Sequence, residues 1–336
     1  MDKKYLITGG LGFLGSAIVK KLVERNNEVR VLDNAYRGSL DKIKDIANKV
    51  EIIKADIRNF DEVRKACKGV DSVLHLAFIN GTEFFYTKPE LVLEVGVKGI
   101  INVIDACVKE NIRELIVASS SEVYQTPKVV PTDESVPLSV PDPLNPRYSY
   151  AGGKIISELM AINYGRKYFD RAIIFRPHNV YGPDMGWEHV IPQFVLRMKE
   201  ICRTTKSKQI KFPIQGTGKE TRAFVYIDDF VEGLMLLIEK GKHLEIYNIG
   251  TADEITIKKV AVEVGKYFER NVGVVPGKPA KGSTTRRCPD ITKLRKLGYN
   301  PKIAFKDGLR ITAKWYDENS HKKPNQSKEN LIYDAA

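Results

Sequence analysis

A chain of 336 residues, 43% apolar and 29% charged, has the composition of an ordinary folded globule with room for a large core or two unequal domains, which excludes overall disorder. "MDKKYLITGG" leads straight into a strand and a glycine turn without a signal-peptide core, and no window approaches the ~18 uninterrupted apolar residues of a membrane span, so a cytoplasmic location away from membranes is expected. The net charge of +12 comes from basic residues interleaved with acids, as in "DIRNFDEVRKACKGVD"; this describes a solvated basic surface rather than a nucleic-acid interface, with a field that would attract a nucleotide diphosphate.

The first predicted elements are a buried strand over 5–8, a glycine turn, an apolar-periodic helix over 13–24 and a second strand over 29–32, which together make one βαβ unit. Gly10, Gly12 and Gly15 satisfy G-x-G-x-x-G, and Gly9, Gly12 and Gly15 satisfy G-x-x-G-x-x-G. Glycines there permit a tight turn, close approach of a pyrophosphate to the helix N-terminus and helix-on-strand packing. Asp33 follows Gly15 by 18 residues, where a carboxylate can accept hydrogen bonds from an adenosine ribose. Dinucleotide binding is therefore expected, with Gly9, Gly12, Phe13, Leu14 and Gly15 at the turn and Asp33 and Asn34 after the second strand. Asp33 would repel a 2′-phosphate, which favours NAD over NADP; Arg37, close by, is the opposing feature.

Further strand-like runs at 50–54, 72–76, 114–118 and 172–175 alternate with helical patterns, which predicts a Rossmann-type doubly wound parallel sheet. Asp56 and Ile57, Leu76 and Ala77 in "HLAF", and Pro177 stand at strand ends where the cofactor would lie. His75, inside a strand, reads as a packed core residue rather than a catalytic one. Cys67, Cys107, Cys202 and Cys288 are far apart and form no C-x-x-C, so neither a metal site nor a disulfide framework is signalled.

"VASSSEVY" at 117–124 puts three serines and a glutamate at the end of the fifth strand, the edge where ligands sit in such sheets. In "YSYAGGK", Tyr150 and Lys154 are four apart and share a helix face, whereas Tyr148 is six before the lysine and points elsewhere. An ammonium nearby stabilises a phenolate, so Tyr150 can serve as a base while a serine hydroxyl holds the reacting alcohol. Gly152 and Gly153 either leave room for a ligand or allow tight packing against a neighbouring helix, at a cost of roughly 1 kcal/mol each in helix stability.

The glycine-rich N-terminus, "SSSEVY", Y-x-x-x-K, "FRPHNVYGP", "TRAFVYIDD" and "YNIG" resemble the extended short-chain dehydrogenase/reductase family, and within it the NAD-dependent nucleotide-sugar epimerases, dehydratases and decarboxylases. The resemblance covers roughly residues 3 to 312. It implies Ser120 as the catalytic hydroxyl, Tyr150 as base and Lys154 as its partner, with Asn179 contacting the nucleotide sugar and Arg222 pairing with its diphosphate. Arg286 and Arg287 are candidates for the same diphosphate, surface charge being the alternative; Trp187 and His189 would line the sugar pocket. Members oxidise a sugar hydroxyl, usually at C4, to a ketone and keep the NADH.

Ser121 and Glu122 fill the slot that carries an acid in family dehydratases and Ser-Glu in decarboxylases, and a carboxylate beside a ketone can abstract an α-proton. Epimerase or 4,6-dehydratase chemistry on a nucleotide-diphosphate sugar is expected, with hexuronate decarboxylation, or a reductase that releases its cofactor, as alternatives. A dinucleotide-sensing regulator would need no base, and intact Ser120, Tyr150 and Lys154 argue against one. Three departures from the family pattern stand out: Gln125 where a glycine normally follows "VY", Gly96 where asparagine is expected, and Gly153 beside the lysine. The expected organisation is an NAD-binding domain over 1–176, revisited at about 226–250, a substrate part from 177–225 and 251–315, and a polar tail over 317–336. By the same resemblance, apolar stripes near 98–109 and 150–167 would pair in a homodimer.

Overall fold

The computed structural model describes residues 3–279, 282 and 284–324. The chain alternates β1 (Lys4–Thr8), α1 (Phe13–Glu24), β2 (Glu28–Asp33), β3 (Val50–Lys54), α2 (Phe60–Cys67), β4 (Ser72–His75), α3 (Thr82–Thr87), α4 (Pro89–Lys109), β5 (Glu114–Ala118), α5 (Tyr148–Tyr168) and β6 (Arg171–Pro177). It continues with β7 (Val180–Tyr181), α6 (Val190–Thr204), β8 (Gln209–Pro213), β9 (Thr221–Ala223), β10 (Val225–Tyr226), α7 (Ile227–Lys240) and β11 (Glu245–Ile249). The last elements are β12 (Glu254–Thr256), α8 (Ile257–Tyr267), β13 (Asn271–Val275), β14 (Arg286–Arg287), α9 (Thr292–Arg295) and α10 (Phe305–Glu318).

The expected doubly wound sheet is present: seven parallel strands in the order β11-β6-β5-β4-β1-β2-β3. β4 and β5 are buried along their whole length, as strands covered by helices on both faces must be. On one face α1 packs against α7; on the other, α4 lies between α2 and α5. Each face has its own apolar core, around Ile18, Leu22, Phe230 and Leu234 on the first and Val103, Ile104, Ala161 and Ile174 on the second. The chain winds from β1 to β3 in one direction and then crosses to β4, so the crevice opens at the carboxyl ends of β1 and β4, where strand order reverses.

Sequence reading stopped short of the seventh strand's exact place: β11 pairs with β6 through Tyr247↔Phe175 and Asn248↔Arg176. Beyond β6, a small sheet places β9 between antiparallel β12 and parallel β14, with Arg222 opposite Arg287 in register. The two guanidinium groups are therefore neighbours by strand pairing. α10 runs to Glu318, and residues 325–336 of the expected tail lie outside the described residues. Among the described residues no helix is long and apolar enough to cross a membrane, and no group of three or more His, Cys, Asp or Glu is placed to hold a metal ion.

Candidate active site

A cleft of about 1080 Å³ follows the carboxyl edge of the sheet from the glycine turn to Arg287. At its cofactor end Gly9 takes φ +75°, and a side chain there would put Cβ 2.8 Å from Ala77 Cα. Gly15 is more constrained still, since its Cβ would lie 2.1 Å from Gly9 O. Gly12, the residue before α1, offers no capping side chain, and the first turn of α1 carries no acid. The free N–H groups of the helix start thus face the cleft without an internal acceptor, a cradle that fits a dinucleotide pyrophosphate. Asp33 is fixed by N–H donors from Leu11 (3.0 Å) and Ala35 (2.8 Å); burial raises its pKa, and these two bonds oppose the rise.

Arg37 is anchored on the cleft wall: its guanidinium is held by Glu188, from the loop before α6, and lies 4.8 Å over the Phe84 ring, with Nη1 left without a partner. The residues fit NAD. Asp56 directs its oxygens to Arg58 (2.9 Å) and Asn34 (3.1 Å) while lining the cleft beside Ile57. Phe13, Leu14, Leu76, Ala77 and Pro177 line it too. His75 is 1% exposed, with Nδ1 2.9 Å from Thr8 Oγ1; burial first, then the Lys154 charge, lowers its pKa to about 3, so it stays neutral.

Three consecutive residues at the end of β5 are stitched to α5. Ala118 O accepts from Lys154 Nζ at 2.7 Å, Ser119 Oγ donates to Glu158, and the Ser120 hydroxyl bears on the Tyr150 phenol. Ser120 also caps the following turn by accepting from Glu122 N at 3.1 Å. Arg176 on β6 grips Glu158 with both ends of its fork, at 2.8 and 2.6 Å. Burial pushes the Tyr150 phenol well above its usual range; the Ser120 hydroxyl opposes this and Glu122 adds to it. Burial lowers Lys154 to about 7 against the pull of Glu158. The phenol is therefore neutral at rest, and a base only when positive charge gathers beside it.

Across the cleft, Glu122 meets cations from three other segments. Arg287 Nη1 donates to it at 2.5 Å, Arg147 approaches to 3.9 Å, and Arg222 acts at longer range. Burial alone would raise the Glu122 pKa; the arginines, Arg287 foremost, bring it down to about 2. Arg222 is not among the residues lining the cleft: Thr221 O and Thr284 O each accept from its guanidinium at 2.7 Å, beside Arg287. Burial and the charge of Arg287 reduce its own pKa to about 10. Arg286 points outward to Glu254, as the surface-charge alternative anticipated, whereas Arg287 is 7% exposed and faces Glu122. Asn179 and His189 line the cleft, as does Ser121 beside Glu122.

Sequence reading missed Arg147 and Thr284. Arg147 stands three residues before Tyr150, one turn earlier on the same side, and that spacing was the available signal. Thr284 had none: its Oγ1 accepts from Arg287 (3.1 Å) and donates to Gln125 O (3.0 Å), a link visible only when β14 lies beside the serine turn. Gln125 itself sits at φ +51°, where glycine is favoured, and its amide folds back onto Glu122 O at 2.6 Å.

Comparisons with known proteins find relatives along most of the chain. The dTDP-D-glucose 4,6-dehydratase of Bos taurus is 32% identical over 350 residues, covering 97% of this chain and 92% of its own. The UDP-N-acetyl-alpha-D-glucosaminuronate decarboxylase of Bacillus cytotoxicus is 29% identical over 333 residues, covering 95% and 99%. Among solved structures, the dTDP-glucose 4,6-dehydratase DesIV of Streptomyces venezuelae, determined with NAD bound, superposes with a TM-score of 0.83 at 29% identity, covering 95% of this chain and 98% of that one. Residues 5–250 match the model of one family, and on that match and these relatives the chain belongs to the NAD dependent epimerase/dehydratase family.

Proposed function

We propose that the chain is a nucleotide-sugar epimerase/4,6-dehydratase that oxidises a sugar hydroxyl, at C4, and then works on the neighbouring carbon. Bound NAD supplies the hydride acceptor and later the donor. Tyr150 removes the hydroxyl proton, Ser120 holds the oxygen, and the Lys154 ammonium stabilises the phenolate. The observation that carries this reading is a carboxylate, Glu122, in the same cleft as Ser120, Tyr150 and Lys154. A C4 ketone acidifies the C5 proton, and a carboxylate held ionised is ready to take it.

Arg287, with a buried and unpartnered Nε, is available to the diphosphate. Three arginines against one carboxylate leave two positive charges, which a nucleotide diphosphate neutralises. When Arg287 turns to the substrate, Glu122 loses its main counter-charge and becomes a stronger base.

Hexuronate decarboxylation is the second reading, favoured by a specific feature. Loss of water needs a proton for the departing hydroxyl, and beside Ser121, an alcohol, Glu122 itself has to supply it after taking the C5 proton. Loss of carbon dioxide needs no such donor, and Arg287, which lines the cleft, suits a carboxylate. Product masses from a panel of nucleotide hexoses and hexuronates separate the readings: loss of water, loss of carbon dioxide, or unchanged mass with a new isomer. Stoichiometric consumption of added NADPH by a keto substrate would overturn both.

We also propose that the protein works in the cytoplasm and, because α4 and α5 expose Leu93 (38%), Ile101 (37%), Ile156 (37%) and Leu159 (55%), that it pairs as a homodimer. Light scattering of the purified chain tests the dimer; a monomer mass would refute it.

A further inference from the structure

Two of the three departures from the family pattern, Gly96 on α4 and Gly153 on α5, meet at one side chain. A Cβ at Gly96 would lie 2.2 Å from Phe78 Cζ and 2.5 Å from its Cε2, and a Cβ at Gly153 would lie 2.9 Å from the same Cζ. Both helices are notched for the tip of the Phe78 ring. Gly152, by contrast, has open space, its nearest foreign atom being Val140 Cγ2 at 3.8 Å. Of the two alternatives for "YSYAGGK", tight packing therefore accounts for Gly153, although the partner is a ring from the cleft rather than a helix.

That ring touches both members of the base pair. Lys154 Nζ lies 4.1 Å from its centroid, and Tyr150 meets it edge-on at 5.1 Å and 81° while stacking on Phe85 at 4.8 Å. Lys154 is 3% exposed, and its hydrogen bond to a protein oxygen goes to a neutral carbonyl, Ala118 O. Beyond that carbonyl, the nearest negative potential offered to the desolvated ammonium is the Phe78 face, with the Tyr150 ring farther off at 5.9 Å and the Glu158 charge acting at longer range. Other charged or titratable groups bearing on the pair are Glu158 on α5, committed to Arg176 on β6, neutral His75 at the end of β4, and Glu122 acting on Tyr150.

We propose that Phe78 is a positioning residue: seated between Gly96 and Gly153, its ring holds the Lys154 ammonium against its face and fixes the edge on which Tyr150 packs. The proposal rests on reading Tyr150 and Lys154 as the base pair, and its test can fail independently of that reading. Isotope-labelled lysine reports the Lys154 protonation midpoint through its Cε resonance, assigned by its loss in Lys154→Met, without any sugar substrate. Fluorine placed at one and then both ring carbons nearest Cβ, farthest from the glycines, weakens the ring's negative face at nearly constant shape. The midpoint should fall stepwise, and by about one pH unit in Phe78→Leu.

Gly96→Ala should lower the midpoint in the native background by displacing the ring, and leave it unchanged in Phe78→Ala, where the notch is empty. The alkaline limb of turnover should move with the midpoint. An unmoved midpoint in the fluorinated proteins overturns the proposal even if the leucine variant fails to fold. Failure to turn over any nucleotide sugar would instead count against the proposed function and leave the titration result standing.

Discussion

The two flanks of Tyr150 hold charge by opposite means. On the α5 flank, one cation, Lys154, sits in a dry aromatic setting with a carbonyl and a ring as close partners, and burial lowers its pKa to about 7. On the β9–β14 flank, one anion, Glu122, sits among three arginines that bring its pKa to about 2. A lone buried ion titrates near neutrality; a crowded one is pinned in its charged form. The flank that can respond to pH is thus the one proposed to serve hydride chemistry, while the flank with fixed charge is suited to holding anionic substrate.

The sharpest way to break this contrast is Tyr150→Phe, which should cost about 10³-fold or more in turnover while the protein still copurifies with NAD. Glu122→Gln comes next. It should slow the step after C4 oxidation by about 10²-fold and let the ketone accumulate, whereas simple C4 epimerisation would survive it. Turnover of the native protein should fall about tenfold per unit as pH rises above about 7, through loss of the Lys154 proton. Glu122, charged down to about pH 2, should contribute no limb in the free enzyme at neutral pH. Arg287→Met should raise KM about 10-fold or more, as loss of one charge-assisted bond to a phosphate, with kcat less affected.

The smallest effects separate the two glycines. Gly152→Ala should stabilise the fold by up to ~1 kcal/mol, because helix propensity is gained at no steric cost. Gly153→Ala should destabilise it, because the added methyl meets Phe78. Thermal denaturation of the pair checks both signs.

What the sequence made legible follows the physics of local signals. Gly9, Gly12, Gly15 and Asp33 lie within one βαβ unit, and Tyr150 and Lys154 within one helical turn, so periodicity and spacing sufficed to pick them out. The sheet was readable for the same reason, strand by strand, except for β11, whose place beside β6 depends on a return of the chain after the substrate part. Arg222 was picked out for phosphate chemistry, yet in the fold its guanidinium donates to two carbonyls beside Arg287. Thr284 and the Phe78 notch were invisible because each depends on segments far apart in the chain: Thr284 with Gln125, and Phe78 with Gly96 and Gly153. Their only trace was that Gln125, Gly96 and Gly153 broke a family pattern, which marked the places without giving the reason.

The central claim is that Glu122 acts on the sugar after Tyr150 and Lys154 have served its oxidation. Mass spectrometry of products formed in deuterated water by the native protein and by Glu122→Gln tests it most directly. Loss of water or carbon dioxide from a nucleotide hexose or hexuronate, abolished in Glu122→Gln while the C4 ketone still forms, is the predicted result. Equal loss in both proteins, or products of unchanged mass from both, would contradict it.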